Sequence, residues 1–280
     1  MKIKLFTLLF LLTTITFQAQ VMTPQPSPTT KLEQKVGLTD VTLEYSRPSM
    51  RGRTIFGDLV PFGEKWRTGA NANTKITFGD DVMIDGKTLP KGTYAIYTIP
   101  QKDSWDVIFY SDASNWGLPQ EWDESKVVVM ANAKTMEIPN KESFTMEFGD
   151  LSNPNSSDLR ILWEKTGISL PIAVPTDKIA MASIQTTLAG DPKANDYFSA
   201  GSYYHHSGKD LTQSLVWVSK AAEMSPEAFW MLREKSLIQA EMGDKKGAIA
   251  TAKKSLEVAT KAGNKDYMKM NEESIAEWSK

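Results

Sequence analysis

The sequence predicts a mainly β protein, in which an antiparallel β-sandwich (or barrel) domain is followed by an α-helical, tetratricopeptide-like tail. Three observations lead to this fold class. Apolar and polar residues alternate in short runs across residues 31–175, and turn-forming residues separate the runs. After Pro175 the apolar period becomes helical. Alternating strand and helix units are missing from the pattern, which argues against a parallel α/β sheet.

Composition excludes several classes of function. The 280 residues carry 32 Lys and Arg against 34 Asp and Glu, a formal net charge of −2, so the basic excess of a nucleic-acid binder is missing. The chain has no cysteine, which removes disulfides, thiolate metal sites and cysteine nucleophiles. The β-rich part has no histidine, so it cannot form a Ser-His-Asp triad.

Residues 1–20 have the layout of a secretory signal peptide. Lys2 and Lys4 precede the apolar run Leu5–Leu12, and Ala19 offers a small residue for cleavage. A membrane anchor is the alternative, but a spanning helix needs about 20 apolar residues, and this run is shorter and rich in threonine. We therefore expect an exported protein, periplasmic or extracellular, with no membrane span after cleavage.

The next two segments are a lead-in and the β domain. Prolines at alternate positions predict that residues 21–30 form an extended, semi-rigid lead-in. Residues 31–175 are expected to form the β domain, and the run Val127–Met130, apolar throughout, predicts a strand covered on both faces. Pro139-Asn140 is one of the expected turns. The clearest alternating runs are Val41–Tyr45, Ile76–Phe78, Val82–Ile84, Trp105–Phe109, Phe144–Phe148 and Leu159–Trp163.

The tail, residues 176–280, is expected to be helical. A first helix should end near Gly190, and a last helix is predicted at Asp266–Trp278. Between them, Gly208 and Gly243 occupy similar positions in two similar stretches, spaced by about the 34-residue tetratricopeptide period. If the tail is a tetratricopeptide-like pair, we expect it to bind a protein partner. A plain helical bundle is the alternative.

Few residues suit metal binding or acid–base chemistry. His205 and His206 are adjacent, and neighbouring helical residues point about 100° apart, so together they do not chelate an ion as an i, i+4 pair does. Acidic residues such as Asp80 and Asp81 lie near predicted turns, where most are solvated. The sequence therefore predicts no metal site, no cofactor and no catalytic residue.

The segment from Ser46 to Thr77 is unusual because it concentrates arginine, aromatic and amide side chains. Arginine forks bind carboxylate or phosphate, and a tryptophan face can stack on a sugar. The alternative is structural: Trp66 fills one end of the β domain, and the arginines pair with Asp58 and Glu64. The candidate ligand-binding residues are Arg47, Arg51, Arg53, Trp66, Arg67, Asn71 and Asn73.

The same segment carries a family resemblance. SRPSMRGRxIFGxLVPFGxxWRTGANxxTxI, followed by KGTYAIYTIP, resembles the exported bacterial family known as domain of unknown function 2911, over about Pro26 to Pro175. The resemblance implies a signal peptide, a β-rich body and a host among Bacteroidota-type bacteria. It brings no assigned activity and no catalytic residue. The residues that match the family signature are Arg47, Arg53, Trp66, Arg67, Thr68, Gly69, Ala70 and Asn71.

We therefore expect an exported, non-enzymatic binding or accessory protein with a site for a small anionic or sugar ligand. One alternative is an exported hydrolase that uses carboxylates and the arginine cluster, with glycans as its substrates. Another is a purely structural envelope protein. A cavity at Trp66 and Arg67 with two close acidic residues would favour the hydrolase, whereas a cavity without them would favour binding.

Overall fold

The structure is a computed structural model that describes residues 22–280. The signal peptide expected at residues 1–20 lies outside the described residues. The chain divides into two compact units, a β unit that ends at Val174 and a helical unit, Pro175–Lys280.

Within residues 22–174, nine strands form the β unit, and every pairing between these strands is antiparallel. Their order in the sheet is β1-β2-β3-β6-β7-β8-β9-β4-β5, and a single 3-10 turn, Glu124–Lys126, precedes β8. The strands are β1 (Thr29–Val36), β2 (Thr39–Ser46), β3 (Thr74–Phe78), β4 (Val82–Ile84), β5 (Lys87–Leu89), β6 (Gly92–Pro100), β7 (Ser104–Tyr110), β8 (Val127–Phe148) and β9 (Ser156–Ala173).

The sheet folds over on itself around one main core. Val36 on β1 and Leu89 on β5 come from opposite ends of the strand order, yet both belong to the same buried cluster. Alternation produces this core: along β2, Val41, Leu43 and Tyr45 are buried, whereas Asp40 and Glu44 are exposed. The antiparallel sheet and the helical unit after it confirm the fold class predicted from the sequence.

Strand β8 differs from the prediction because Pro139-Asn140 is not a turn between two strands. One continuous strand pairs first with β7 and then with β9. The pairing with β9 is irregular between Glu137 and Lys141, where β8 has two more residues than its partner. Proline has no N–H for a regular ladder, and this irregular stretch accommodates it.

The start of β8 corrects a second expectation. Val127–Met130 was predicted to be covered on both faces, but Val128 is 40% exposed and Met130 is 36% exposed. Val129 is buried in the main core and Val127 packs against a smaller buried cluster that contains Tyr97, so this stretch is covered only in part.

The helical unit contains six helices, and neighbours along the chain pack together, α2 on α3 and α4 on α5 most extensively. Gly208, Gly243 and Gly263 follow α2, α4 and α5 with φ of 62°, 86° and 69°, the left-handed geometry that ends a helix. No helix within residues 22–280 is both long and apolar enough to cross a membrane. The helices are α1 (Thr176–Leu188), α2 (Ala194–His206), α3 (Leu211–Met224), α4 (Phe229–Glu241), α5 (Lys245–Lys261) and α6 (Lys265–Trp278).

Candidate functional site

The long connection between β2 and β3 forms one wall of a cleft of about 500 Å³. We call it the arginine cleft, because the side chains of Arg51, Arg53 and Arg67 line it. Trp66 and Asn71, also predicted as ligand-binding residues, lie in its wall. The structure therefore brings together five of the seven predicted site residues.

The lead-in contributes to the same cleft, since Pro26 and Ser27 line it. The Arg51 guanidinium donates to the carbonyl oxygen of Pro26 at 3.2 Å, and the Asn71 amide donates to that of Ser27 at 3.2 Å. Farther along, the lead-in enters β1 at Thr29. The proline-rich segment is thus held against the cleft by residues that the sequence assigned to ligand binding.

Trp66 belongs to both the cleft wall and the aromatic core. Its ring stacks on Trp163, with centroids 5.9 Å apart and planes 15° apart, and meets the edges of Phe56, Trp105 and Phe144. Its backbone N–H donates to the carbonyl oxygen of Thr98 at 2.7 Å. Ring and backbone together fix the half-buried indole at the base of the cleft.

Within residues 22–280, no guanidinium of the cleft forms an ion pair with a carboxylate. Arg53 donates to the carbonyl oxygens of Met50 and Ser49 at 2.8 and 2.7 Å, and Arg67 donates to that of Asn71 at 3.3 Å. Across residues 22–280 the ion pairs within 4 Å are all made by lysine or histidine, so the pairing with Asp58 and Glu64 that the structural alternative proposed is not found. The described lining contains three arginines and no acidic residue, so the side chains that line the cleft carry a net positive charge.

Two nearby carboxylates hold the cleft wall in place from outside the lining. Glu142 accepts a hydrogen bond from the backbone N–H of Arg51 at 2.9 Å. Glu164 lies 3.3 and 3.4 Å from the backbone nitrogens of Ile55 and Phe56, which donate to it. Both acids therefore position the β2–β3 connection by binding its backbone.

The backbone of the cleft wall adopts an uncommon conformation at several positions. Arg51, Thr68 and Asn71 have φ of 52°, 54° and 61°, in the left-handed region that non-glycine residues seldom occupy. Gly69 has φ of 136°, and a Cβ there would lie 3.1 Å from the carbonyl oxygen of Ser46. Such strain persists where the surrounding structure fixes it, and it concentrates at binding and catalytic sites.

Arg47 and Asn73, the other two predicted residues, lie outside the cleft lining. Arg47 donates to the carbonyl oxygen of Phe144 at 3.0 Å and to the Thr145 hydroxyl at 2.9 Å, and so ties the end of β2 to β8. Asn73 is buried, with its amide 3.3 Å from the hydroxyl of Tyr97. Burial raises the pKa of that hydroxyl above its ordinary value.

Sequence reasoning missed Trp163, Pro26 and Gly117. Trp163 matches the alternation of a core strand, and Pro26 matches a linker, so neither pattern signals a site. Gly117 lies against Arg67: a Cβ at this position would be 2.9 Å from the Nη1 atom. Only the fold brings these three residues to the arginine segment.

A comparison with protein-family models finds the same family that the sequence motif of the cleft wall resembles. The family model described as "Protein of unknown function (DUF2911)" matches residues 27–172, which is more than half of the chain and most of the β unit. A search of curated proteins found no match. The matched span includes every residue of the cleft named above except Pro26. The chain belongs to the DUF2911 family.

Proposed function

We propose that this protein is an exported, non-enzymatic binding protein that holds a small anionic ligand in the arginine cleft. A carboxylate, a phosphate or a sugar acid has the chemistry that the cleft suits. The observation that carries the proposal is the set of three arginines, Arg51, Arg53 and Arg67, in a cleft whose described lining has no carboxylate.

The chemistry of the side chains supports an anion. A guanidinium keeps its charge at any physiological pH and presents paired N–H groups that match two oxygens of a carboxylate or phosphate. Arg51 and Arg53 are exposed and Arg67 is half-buried, so all three retain access to solvent. The partly exposed Trp66 side chain in the cleft lining offers apolar surface on which a sugar-containing anion can pack.

The position of the acidic residues favours binding over hydrolysis. A glycosidase needs two carboxyl groups on either side of the bond that it cleaves. Glu142 and Glu164 instead accept hydrogen bonds from backbone N–H groups of the cleft wall. Carboxylates engaged in this way support a positioning role, which makes the hydrolase the weaker of the two proposals.

The helical unit is proposed to be a tetratricopeptide-like surface that binds a protein partner. The pairs α2/α3 and α4/α5 support this, because in each pair a glycine in the left-handed conformation ends the first helix. Export is proposed from the basic and apolar residues before Ala19, and a Bacteroidota-type host is proposed from the family resemblance alone. N-terminal sequencing from the native host should give a mature start near Gln20 or Val21. Intact Met1 on a cytoplasmic protein would contradict export.

Arg67→Ala tests the anion site. A charge-assisted contact contributes roughly 1.5–3 kcal/mol, so the variant should bind its anion about 10- to 100-fold more weakly. Its unfolding free energy should change by about 0.5 kcal/mol or less, because in the described part of the chain Arg67 makes no ion pair and its side chain donates a single hydrogen bond, of 3.3 Å. Calorimetric titration with inorganic phosphate, citrate and glucuronate, beside thermal unfolding, measures both.

Arg160→Ala is the matched control, because Arg160 lies on β9 outside the cleft lining. It should leave anion binding unchanged. A large fall in the melting temperature of Arg67→Ala, together with no anion response in the native protein, would overturn the proposal.

A further inference from the structure

The end of α2 and one face of α4 bring two histidines and two glutamates together. We call His205, His206, Glu234 and Glu241 the histidine–carboxylate cluster. Glu234 is only 8% exposed, and its Oε1 atom lies 2.8 Å from Nδ1 of His205 and 3.5 Å from Nδ1 of His206. On the other side of the His205 ring, Nε2 lies 3.0 Å from Oε2 of Glu241.

A carboxylate oxygen faces each ring nitrogen of His205, so the ring needs a positive charge beside it, either a proton or a metal cation. A neutral imidazole carries one N–H and one lone pair. When Nε2–H donates to Glu241, the lone pair of Nδ1 faces Glu234 Oε1 across 2.8 Å. Two lone pairs at this distance repel each other, and a positive centre between or beside them converts the repulsion into attraction.

We propose that the histidine–carboxylate cluster binds a divalent transition-metal ion, with Zn²⁺ as the best match. His205 Nδ1, the Glu234 carboxylate and His206 would be its protein ligands. One donor atom from each of these residues lies within 4.8 Å of the others, a spread that small side-chain rotations close around one ion. Mixed imidazole and carboxylate donors suit Zn²⁺, whereas Mg²⁺ and Ca²⁺ prefer oxygen alone.

Glu241 completes the arrangement as an outer residue. A histidine that ligates zinc almost always donates its other ring N–H to a carboxylate or carbonyl, which fixes the ring and makes it more basic. His205 meets this requirement before any metal enters, through its 3.0 Å contact with Glu241. A histidine that only filled space in the helical unit would not need carboxylates at both nitrogens.

His206 is the proposed ligand whose ring must rotate to reach the ion. Its side chain is 66% exposed, and Nδ1 currently contacts the carbonyl oxygen of Ser202 at 2.8 Å. The His205 and His206 rings lie with centroids 4.8 Å apart, close enough for a turn of the exposed ring to bring one nitrogen to the shared ion. Adjacent histidines diverge on α2 alone, but here α4 supplies Glu234, whose carboxylate both rings approach.

Calorimetric titration of the full chain with Zn²⁺, on untagged protein first treated with a chelator, tests the site. We expect one ion per chain with micromolar or tighter affinity, a higher melting temperature in its presence, and no response to Mg²⁺. His205→Ala and His206→Ala should each weaken uptake at least 10-fold. Glu241→Ala, which removes an outer residue, should weaken it about 10- to 100-fold.

Glu257→Ala is the matched control, because Glu257 is an exposed helical glutamate that forms an ion pair with Lys261. It should bind Zn²⁺ as the native chain does. Because His206 is exposed, its alanine variant should fold even where His205→Ala does not, which circular dichroism verifies. Absence of zinc uptake, or uptake unchanged in His206→Ala, would overturn the proposal and leave a proton between His205 and Glu234.

Discussion

The guanidinium of Arg67 packs directly on Gly117, so closely that a Cβ at position 117 would lie 2.9 Å from Nη1 and 3.0 Å from Cζ. The carbonyl oxygen of Gly117 in turn accepts a hydrogen bond of 3.0 Å from the buried Tyr97 hydroxyl. The position of the Arg67 guanidinium therefore depends on Gly117, which belongs to another loop. The hydrogen bond from Tyr97 holds Gly117 in place.

Gly117→Ala should move Arg67 and weaken anion binding. Because Gly117 has φ of 87°, the variant should also lose roughly 1–2 kcal/mol of stability from backbone strain alone. Gly86→Ala separates the two effects: Gly86 has φ of 70° but no atom within 4 Å of the Cβ position. It should lose similar stability and keep its anion affinity. Equal affinity of the two variants for the anion that binds the native protein would contradict this account.

Trp66→Ala should destabilise the β unit by about 3–5 kcal/mol, the range for removing a large ring from a packed core. The ring touches four other aromatic side chains, one of them stacked. Trp116 is 75% exposed, so Trp116→Ala should change stability by about 0.5 kcal/mol or less. Denaturant unfolding measures both variants. Similar midpoints would mean that Trp66 does not support the core.

The sheet could be predicted because alternation is a local property of the sequence. Val41–Tyr45 and Trp105–Val107 show burial at every second residue, and each lies in a strand that has a neighbour on both sides. The alternation ends at Ile108, which belongs to a second buried cluster. The break expected at Pro139 was wrong because proline marks an interruption in hydrogen bonding, which can be a turn or an irregular pairing. The partner strand decides between the two, and the sequence does not reveal the register of β9.

The cleft could be predicted only in part. Four residues of the cleft lie within one short segment of the sequence: Arg51, Arg53, Trp66 and Arg67. The sequence alone therefore predicts that they share a site. Asn73 belongs to the same segment but lies just before β3, where its side chain meets Tyr97 instead of the cleft. The packing of Gly117 on Arg67 joins residues that are distant in sequence, so only the folded chain shows it.

Gly201→Ala should destabilise the helical unit although alanine favours helix by about 1 kcal/mol. Gly201 on α2 faces α3, where a Cβ would overlap the Val218 side chain and lie 3.0 Å from the carbonyl oxygen of Ser214. Overpacking of this kind costs about 1–3 kcal/mol. Thermal unfolding should show the loss, and adding Val218→Ala should recover part of it. Gly190→Ala, where the nearest atom is at 3.6 Å, is the control and should be nearly neutral.

Asp112 should make stability depend on acidity. The hydroxyl of Ser114, the ammonium of Lys126 and the backbone N–H of Ser114 hold the pKa of Asp112 well below its ordinary 3.8. A carboxyl whose pKa is lower in the folded state stabilises the fold above the unfolded-state value and loses that effect as pH falls through the folded-state value. Asp112→Asn should therefore be less stable than the native chain at neutral pH, with the gap narrowing below pH 3.8.

Urea unfolding at several pH values measures that gap. Ser114→Ala removes the hydroxyl that contributes most to the low pKa of Asp112. This variant should also be less stable than the native chain at neutral pH, by a smaller amount than Asp112→Asn. A gap that stays constant as the pH falls would show that Asp112 stabilises the loop by its shape and not by its charge.

The connectivity of the sheet has a consequence for how the chain reaches its folded state. The short β4–β5 hairpin pairs with the end of β9, through Met83 with Ala173 and Ile84 with Ile172. During synthesis the hairpin is complete long before Ala173 leaves the ribosome, so its free edge stays unpaired for most of that time. Sheets that pair strands far apart in the sequence fold slowly, and an unpaired strand edge can pair with another chain and aggregate. We therefore expect a nascent chain cut short before β9 to need a chaperone to remain in solution.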